Sequence, residues 1–141
     1  MLTFEAKLCE IDKPTNGRLV YTTECIEKAL GDPCLVEQLE NNCCFVYRED
    51  GIGSYTGRDI SKICGLVRGF KIKDGGLYAE LEDLSDKGLK PKIDSKCKFS
   101  PVGVGNLCYD ETLDAYRVED YTMDAVCLVL DKENKNHENR S

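Results

Sequence analysis

The chain has 141 residues, of which 41% are hydrophobic and 32% charged, and its formal net charge is −7 at pH 7. This length fits one domain of ordinary globular composition, large enough to bury a core without a metal or a disulfide. The acidic balance disfavours nucleic acid as a partner because phosphate binding depends on Lys and Arg, and no apolar stretch approaches the ~20 residues that span a bilayer.

Residues 2–21 predict two extended segments joined by a turn. Residues 2–11 alternate between apolar and polar side chains, as a half-buried strand does. Residues 12–17 favour a turn, in which Asn16-Gly17 tolerates the positive φ angles that a tight turn requires. We expect residues 18–21 to be extended.

Two short helices are predicted next. Thr22 or Thr23 can cap a helix that continues to Leu30, and Gly31 follows it in the position of a C-terminal cap. Asp32-Pro33 combines a polar cap with proline at the first helical position, which begins a second helix. That helix is expected to end near Glu40.

The middle of the chain contains its clearest hairpin. Residues 43–47 predict a strand, and the glycine-rich residues 48–59 predict a loop. Residues 63–73 and 77–83 then form two strands, and Asp74-Gly75-Gly76 between them supplies the turn conformation.

The last third predicts a helical turn, two strands and a tail. Residues 85–93 resemble a short helix, and residues 96–104 a strand that Pro101 restricts to an edge or a bend. Residues 117–131 close with an apolar run that indicates a strand buried on both faces. The polar residues 132–141 are expected to be a disordered tail. The fold class is α+β: a mostly antiparallel β-barrel or curled sheet with two or three short helices.

Nine cysteines and one histidine bear on metal and disulfide chemistry. No Cys-x-x-Cys pair occurs, whereas zinc sites commonly hold their ligands in closely spaced pairs. Most of the cysteines lie in apolar runs such as residues 125–128, so we expect buried free thiols, no metal and no cofactor. No signal peptide is recognisable, which predicts a cytosolic protein or one assembled in a cytosol.

Four segments, taken in chain order, carry a resemblance to a known family: residues 16–21, which begin Asn-Gly-Arg, and residues 63–80, 98–105 and 118–130. They resemble, in that order, the opening, the central hairpin, the segment with the nucleophilic serine and the closing strand of the phage prohead maturation proteases. These proteases belong to the herpesvirus assemblin-like serine proteases. The resemblance implies one β-rich domain over residues 1–131, followed by the polar tail.

The resemblance also implies a serine nucleophile, a histidine base and a third, orienting residue. It places the nucleophile at Ser100 and the histidine within residues 43–51, which contain none. The single histidine, His137, lies beyond the last predicted strand. A serine hydroxyl needs a base within hydrogen-bond reach, so the sequence predicts a protease-like scaffold without its catalytic machinery.

Two other catalytic arrangements remain open. Lys98 or Lys71 could act as the base if burial lowered its pKa by several units. Lys98 is two residues from Ser100, and alternate residues of a strand face the same side. A cysteine nucleophile would lack a histidine in the same way.

The favoured interpretation is a non-catalytic phage virion protein, such as a capsid decoration protein, a cement protein or another head or tail component. It would bind an extended segment of the major capsid protein or of another virion protein by β-augmentation, through Phe99, Ser100, Pro101 and Val102. It would be found in the virion and, during assembly, in the host cytoplasm. A homo-oligomer is a further option, and neither nucleic acid nor a membrane is expected as a partner.

Two alternatives belong to other functional classes. One is an active prohead maturation protease that uses Ser100 with Lys98 as base. The other is a cytosolic adaptor that binds another protein and never enters a particle.

Overall fold

The computed structural model describes residues 3–15, 18–49, 62–84 and 97–130. Within these ranges the chain is α+β, and strands predominate over two short helices. The elements are β1 (Thr3–Glu10), β2 (Leu19–Tyr21), α1 (Thr23–Leu30), α2 (Pro33–Glu40), β3 (Phe45–Glu49), β4 (Ile63–Lys73), β5 (Gly76–Asp83), β6 (Cys97–Asp110) and β7 (Ala115–Leu130).

The strands form one curled sheet that closes about halfway into a barrel. Its order is β1-β5-β4-β3-β7-β2, and β6 pairs with β7 outside that path. The pairings β1/β5, β4/β5, β3/β4 and β6/β7 are antiparallel. Because β2 and β3 run parallel to β7, the sheet is mixed, and the expected curled, mostly antiparallel sheet is confirmed.

Both predicted helices are present, and both begin at the expected caps. The Thr22 side chain accepts a hydrogen bond from the backbone N–H of Cys25 at 3.1 Å. Asp32 accepts one from the N–H of Cys34 at 3.0 Å. Gly31 ends α1 with φ −88°, in the right-handed region, so the left-handed cap that glycine favours is not formed there.

The core lies between the sheet and the two helices, both of which contribute buried side chains. α1 buries Ile26 and Ala29, and α2 buries Leu35. Residues 125–128 of β7 are all buried, which confirms the prediction of a strand covered on both faces. Burial of such side chains contributes roughly 1.5–3 kcal/mol each.

The β4–β5 hairpin is formed as predicted. Asp74 and Gly75 have φ angles of 50° and 72°, the left-handed pair that a tight two-residue turn requires. Lys73 pairs with Gly76 across the turn.

The β6–β7 hairpin is longer than the sequence predicted. The prediction ended one strand at residue 104 and began the next at 117, whereas β6 continues to Asp110 and β7 starts at Ala115. The glycine-rich residues form bulges rather than the end of a strand: the register shifts between Val102 and Gly103 and again between Val104 and Asn106. Pro101 lies on β6, whose only strand partner in the described ranges is β7, as expected for proline on an edge.

Arg18 links β2 to the turn between β6 and β7. Its φ angle is 62°, so the prediction that residue 18 is extended was wrong. The Arg18 guanidinium donates hydrogen bonds to the carbonyl and the carboxylate of Asp114, and the Tyr116 N–H donates to the Arg18 carbonyl at 2.8 Å. Tyr109 Oη donates to Asp114 Oδ1 at 2.6 Å. The left-handed conformation therefore turns Arg18 onto the hairpin.

Several expectations fall outside the described residues. They are the Asn16-Gly17 turn, the loop over residues 50–59, the helical turn at 85–93 and the polar tail at 132–141. Arg48 and Glu49, which were assigned to the loop, belong to β3. The domain boundary at residue 131 stays a prediction.

We expect Gly103→Ala to destabilise the fold because the first bulge leaves no space for a side chain. A Cβ at Gly103 would lie 2.2 Å from the Thr122 carbonyl oxygen. Overpacking of this kind costs about 1–3 kcal/mol, measurable by urea unfolding. Gly69→Ala in β4 is the matched control, since a Cβ there meets no atom within 4 Å. Equal stability of the two variants would contradict this account.

We expect Tyr109→Phe to raise the pKa of Asp114. The pKa of that carboxyl is held below its usual value first by the Tyr109 hydroxyl and then by the Arg18 charge. Because the pKa is lowered in the folded protein, the stabilisation it reports is present at neutral pH and is lost as the pH falls through the folded-state pKa. An NMR titration of the Asp114 carboxyl tests this, with Tyr116→Phe as the control, and an unchanged pKa in Tyr109→Phe would refute it.

Candidate functional site

A groove of about 620 Å³ opens between β1 and β6. Each of these strands has a single hydrogen-bonded neighbour in the described part of the chain, β5 for β1 and β7 for β6. Phe4 and Phe99 meet between them with ring centroids 5.8 Å apart. The groove is lined by Lys7–Glu10 of β1, by Pro14, Thr15 and Tyr21, and by Lys98–Pro101 of β6.

The pairing of β6 with β7 sets the direction of the groove residues. Phe99 pairs with Leu128 and Pro101 with Val126, and both partners are fully buried. Directly opposed residues share a face of the sheet, so Phe99 and Pro101 lie on the core side. Ser100 lies on the other face of β6.

Three of the four predicted binding residues line the groove: Phe99, Ser100 and Pro101. Val102 is the next residue of β6 but does not line it. Lys98 shares a face with Ser100, because no register shift separates them. The structure therefore brings the predicted residues together along a single strand, with Ser100 half-buried.

No described residue that could act as a base is hydrogen-bonded to Ser100. Its hydroxyl forms no hydrogen bond with any of them, and Lys98 is exposed and forms no ion pair with them. Lys71 lies on β4, outside the groove, where its Nζ is 2.8 Å from Glu5 Oε2. His137 follows the end of β7 and lies outside the described ranges.

Cys9 lines the groove, which sequence reasoning did not anticipate. The register of β1 shifts between Lys7 and Cys9, and as a result Leu8 and Cys9, which would face opposite sides of a regular strand, both reach the groove. Burial, assisted by the Glu10 charge, raises the pKa of the Cys9 thiol to about 12. The thiol is therefore neutral at pH 7 and is not an activated nucleophile.

Tyr21 forms one wall of the groove and packs against Tyr121. The ring centroids are 5.4 Å apart in an edge-to-face arrangement. Burial raises the pKa of both hydroxyls, so neither tyrosine supplies an anion at neutral pH. The groove thus has an apolar, uncharged inner wall, with Lys7, Glu10 and Lys98 as its charged residues.

The comparisons with known proteins show the fold. No known sequence family and no curated protein sequence matches the chain. Among solved structures, the capsid assembly protease gp21 of bacteriophage T4 superposes with a TM-score of 0.72 at 15% identity, covering 91% of this chain and 81% of that one. The chain therefore has a prohead-protease-like fold, as the resemblance implied.

The other predicted features have mixed outcomes. The thiols of Cys44, Cys64 and Cys127 are buried, as expected, but Cys34 and Cys43 are exposed, because they lie at the start of α2 and in the turn after it. Among the described residues, no group of three or more His, Cys, Asp or Glu side chains is arranged to hold a metal ion. Neither described helix has the length and apolar character needed to cross a membrane.

We expect Cys9 to react far more slowly with iodoacetamide than Cys34 does. A thiol with a pKa of about 12 is ionised in only about one molecule in ten thousand at pH 8, and Cys34 is exposed. Mass spectrometry of the folded protein over a time course measures both rates, and unfolding in urea should abolish the difference. A Cys9 rate equal to that of Cys34 before unfolding would show an ionised, accessible thiol.

Proposed function

We propose that this protein is a non-catalytic component of a phage head, and that it binds an extended segment of another virion protein in the groove between β1 and β6. The observation that carries the proposal is the position of Ser100. It lies in the groove of a protease-like fold, yet its hydroxyl has no bonded base among the described residues. Serine without a base is a weak nucleophile, whereas the groove can still bind a peptide.

Backbone pairing is the binding mode that the groove favours. β1 and β6 each leave one side unpaired among the described strands, and an extended peptide can add to such an edge through main-chain hydrogen bonds. Pro101 lacks an N–H, so β6 offers one donor fewer there. Leu8 and Phe99 supply apolar contacts for alternate side chains of the peptide.

The proposed partner is the major capsid protein or another virion protein, and the proposed location is the virion, with the host cytoplasm during assembly. The support is the fold it shares with a phage capsid assembly protease. Fold alone does not establish function, so a decoration or cement role rests on the groove and on the chemistry missing at Ser100.

One alternative has an observation in its favour. Lys98 and Ser100 share a face of β6, and the superposed T4 protein is a protease. An active Ser100–Lys98 protease would require Lys98 to lose its proton near neutral pH. Lys98 is exposed, whereas lysines that act as general bases are typically buried.

Two substitutions at Ser100 distinguish binding from catalysis. We expect Ser100→Ala to leave incorporation into particles and maturation of the other head proteins unchanged, because only a hydroxyl is removed. Ser100→Tyr places a ring in the groove and should reduce incorporation about tenfold or more. Quantitative mass spectrometry of purified particles, normalised to the major capsid protein, measures both effects, and circular dichroism checks that the variants fold.

The opposite pattern would support the protease. If Ser100→Ala blocks trimming of the head proteins, and a fluorophosphonate labels Ser100 in the wild type but not in Lys98→Ala, the non-catalytic proposal is wrong. Absence of the wild-type chain from both assembling and mature particles would instead indicate the cytosolic adaptor.

A further inference from the structure

A second exposed surface lies at the far end of the β6–β7 hairpin, beyond the β6 residues that line the groove. Leu107, Tyr109 and Tyr116 are 58%, 49% and 45% exposed, and Leu113 in the turn between the strands is 40% exposed. Single exposed apolar residues are ordinary, whereas a contiguous group marks an interaction site. These four residues are called the hairpin-end surface below.

Three of these side chains share one face of the hairpin. Tyr109 pairs with Tyr116, and Leu107 pairs with Val118. Leu107, Tyr109 and Tyr116 therefore lie on the same side of the two strands as Val118. Val118 is buried in the core. The strand residues of the hairpin-end surface therefore lie on the core face of the sheet, in a part of that face that the core does not cover.

The tyrosine pair is held in place before any partner arrives. The rings of Tyr109 and Tyr116 are 5.3 Å apart at 63°, and the Tyr109 hydroxyl donates to Asp114, which Arg18 also holds. An aromatic pair with fixed rotamers loses little conformational entropy on binding. Tyrosine is also enriched at protein interfaces.

The charges beside this surface are mainly acidic. Asp110, Glu111 and Asp114 lie at or within the turn, and the two nearby arginines are already engaged, Arg18 with Asp114 and Arg117 with Asp110. Glu111 is exposed and has no ion pair with a described residue. The two arginines offset Asp114 and Asp110 in turn, so Glu111 gives the turn an uncompensated negative charge, which favours a basic partner.

We propose that the hairpin-end surface binds a partner protein through a segment in which apolar side chains alternate with Lys or Arg. The apolar residues would pack on Leu107 and the tyrosine pair, and a basic residue would pair with Glu111. A second copy of this chain is disfavoured because each copy carries a net charge of −7. Leu107 is seven residues along β6 from Ser100, roughly 20 Å in an extended strand. The part of the groove that lies nearer is the Tyr21 wall, because Val118 pairs with Leu107 on one side of β7 and with Tyr21 on the other.

Peptide titration of the intact chain, observed by NMR, tests the proposal. The probe is a seven-residue peptide in which Lys alternates with Leu, and its partner probe replaces each Lys with Glu. We expect the Lys peptide to shift amide signals around Leu107 and Tyr116, and the Glu peptide to shift none. Leu107→Ser should weaken binding of the Lys peptide about tenfold or more.

Three further variants test whether binding depends on the hairpin-end surface. Val104→Ser is the matched control, because Val104 is 75% exposed and pairs with exposed Thr122 rather than with a core residue; its affinity should stay within about twofold of the wild type. Glu111→Lys should weaken the Lys peptide severalfold without altering any packing. Ser100→Tyr should bind as the wild type does, so a failure of the groove proposal would not affect this test.

Three outcomes would overturn the proposal. The first is equal binding of both peptides, or of Leu107→Ser and the wild type. The second is a response of the amides around the groove rather than those of the hairpin end. The third is a concentration-dependent dimer, seen by sedimentation and abolished by Leu107→Ser, which would make a second copy the occupant.

Discussion

The structure depends on the pairing of one long strand. β7 covers residues 115–130 and forms ladders with β2 near its start, β3 near its end and β6 along most of its length. Its buried side chains occupy both faces of the sheet at residues 125–128. Because three strands take their register from β7, it sets the position of every side chain on β6. Ser100 reaches the groove through its pairing with Cys127, and Tyr109 meets Tyr116 through the same ladder.

The groove places Ser100 on an edge strand of a prohead-protease-like fold. The fold supplies a serine on a strand beside a concave surface, but nucleophilic attack also needs a base to take the proton. The described residues near Ser100 are apolar, neutral or exposed. Even Cys9, the other potential nucleophile of the groove, is kept protonated by burial. Among the described strands, β1 and β6 each have one unpaired edge, and such an edge can pair with an extended peptide.

β6 carries two surfaces with different physical characters. Its first half lines the groove, and its second half carries exposed apolar side chains on an acidic hairpin. The bulges at Gly103 and Gly105 lie between them. A bulge increases the local twist of a strand, so the two surfaces are joined by one strand but need not face the same way. Arg18 links the turn of the hairpin to β2 through a hydrogen bond to Asp114. This link lies beside the hairpin-end surface.

The local elements can be predicted from neighbouring residues alone. The caps at Thr22 and Asp32, the Asp74-Gly75 turn and the buried run of residues 125–128 are set by short-range chemistry: side-chain acceptors, residues that tolerate positive φ, and hydrophobic periodicity. Ser100 and its neighbours were chosen from the resemblance. Three of the four predicted binding residues, Phe99, Ser100 and Pro101, line the groove.

The remaining features depend on contacts between segments that are far apart in the chain. The bulges that extend β6, the shift that turns Cys9 into the groove, the left-handed Arg18 and the apolar face at the hairpin end all depend on pairing between distant segments. In each case the conformation is selected by a partner strand or by a carboxylate far along the chain, as when Arg18 meets Asp114. No local sequence pattern contains that information, because the free energy that selects these conformations comes from long-range contacts.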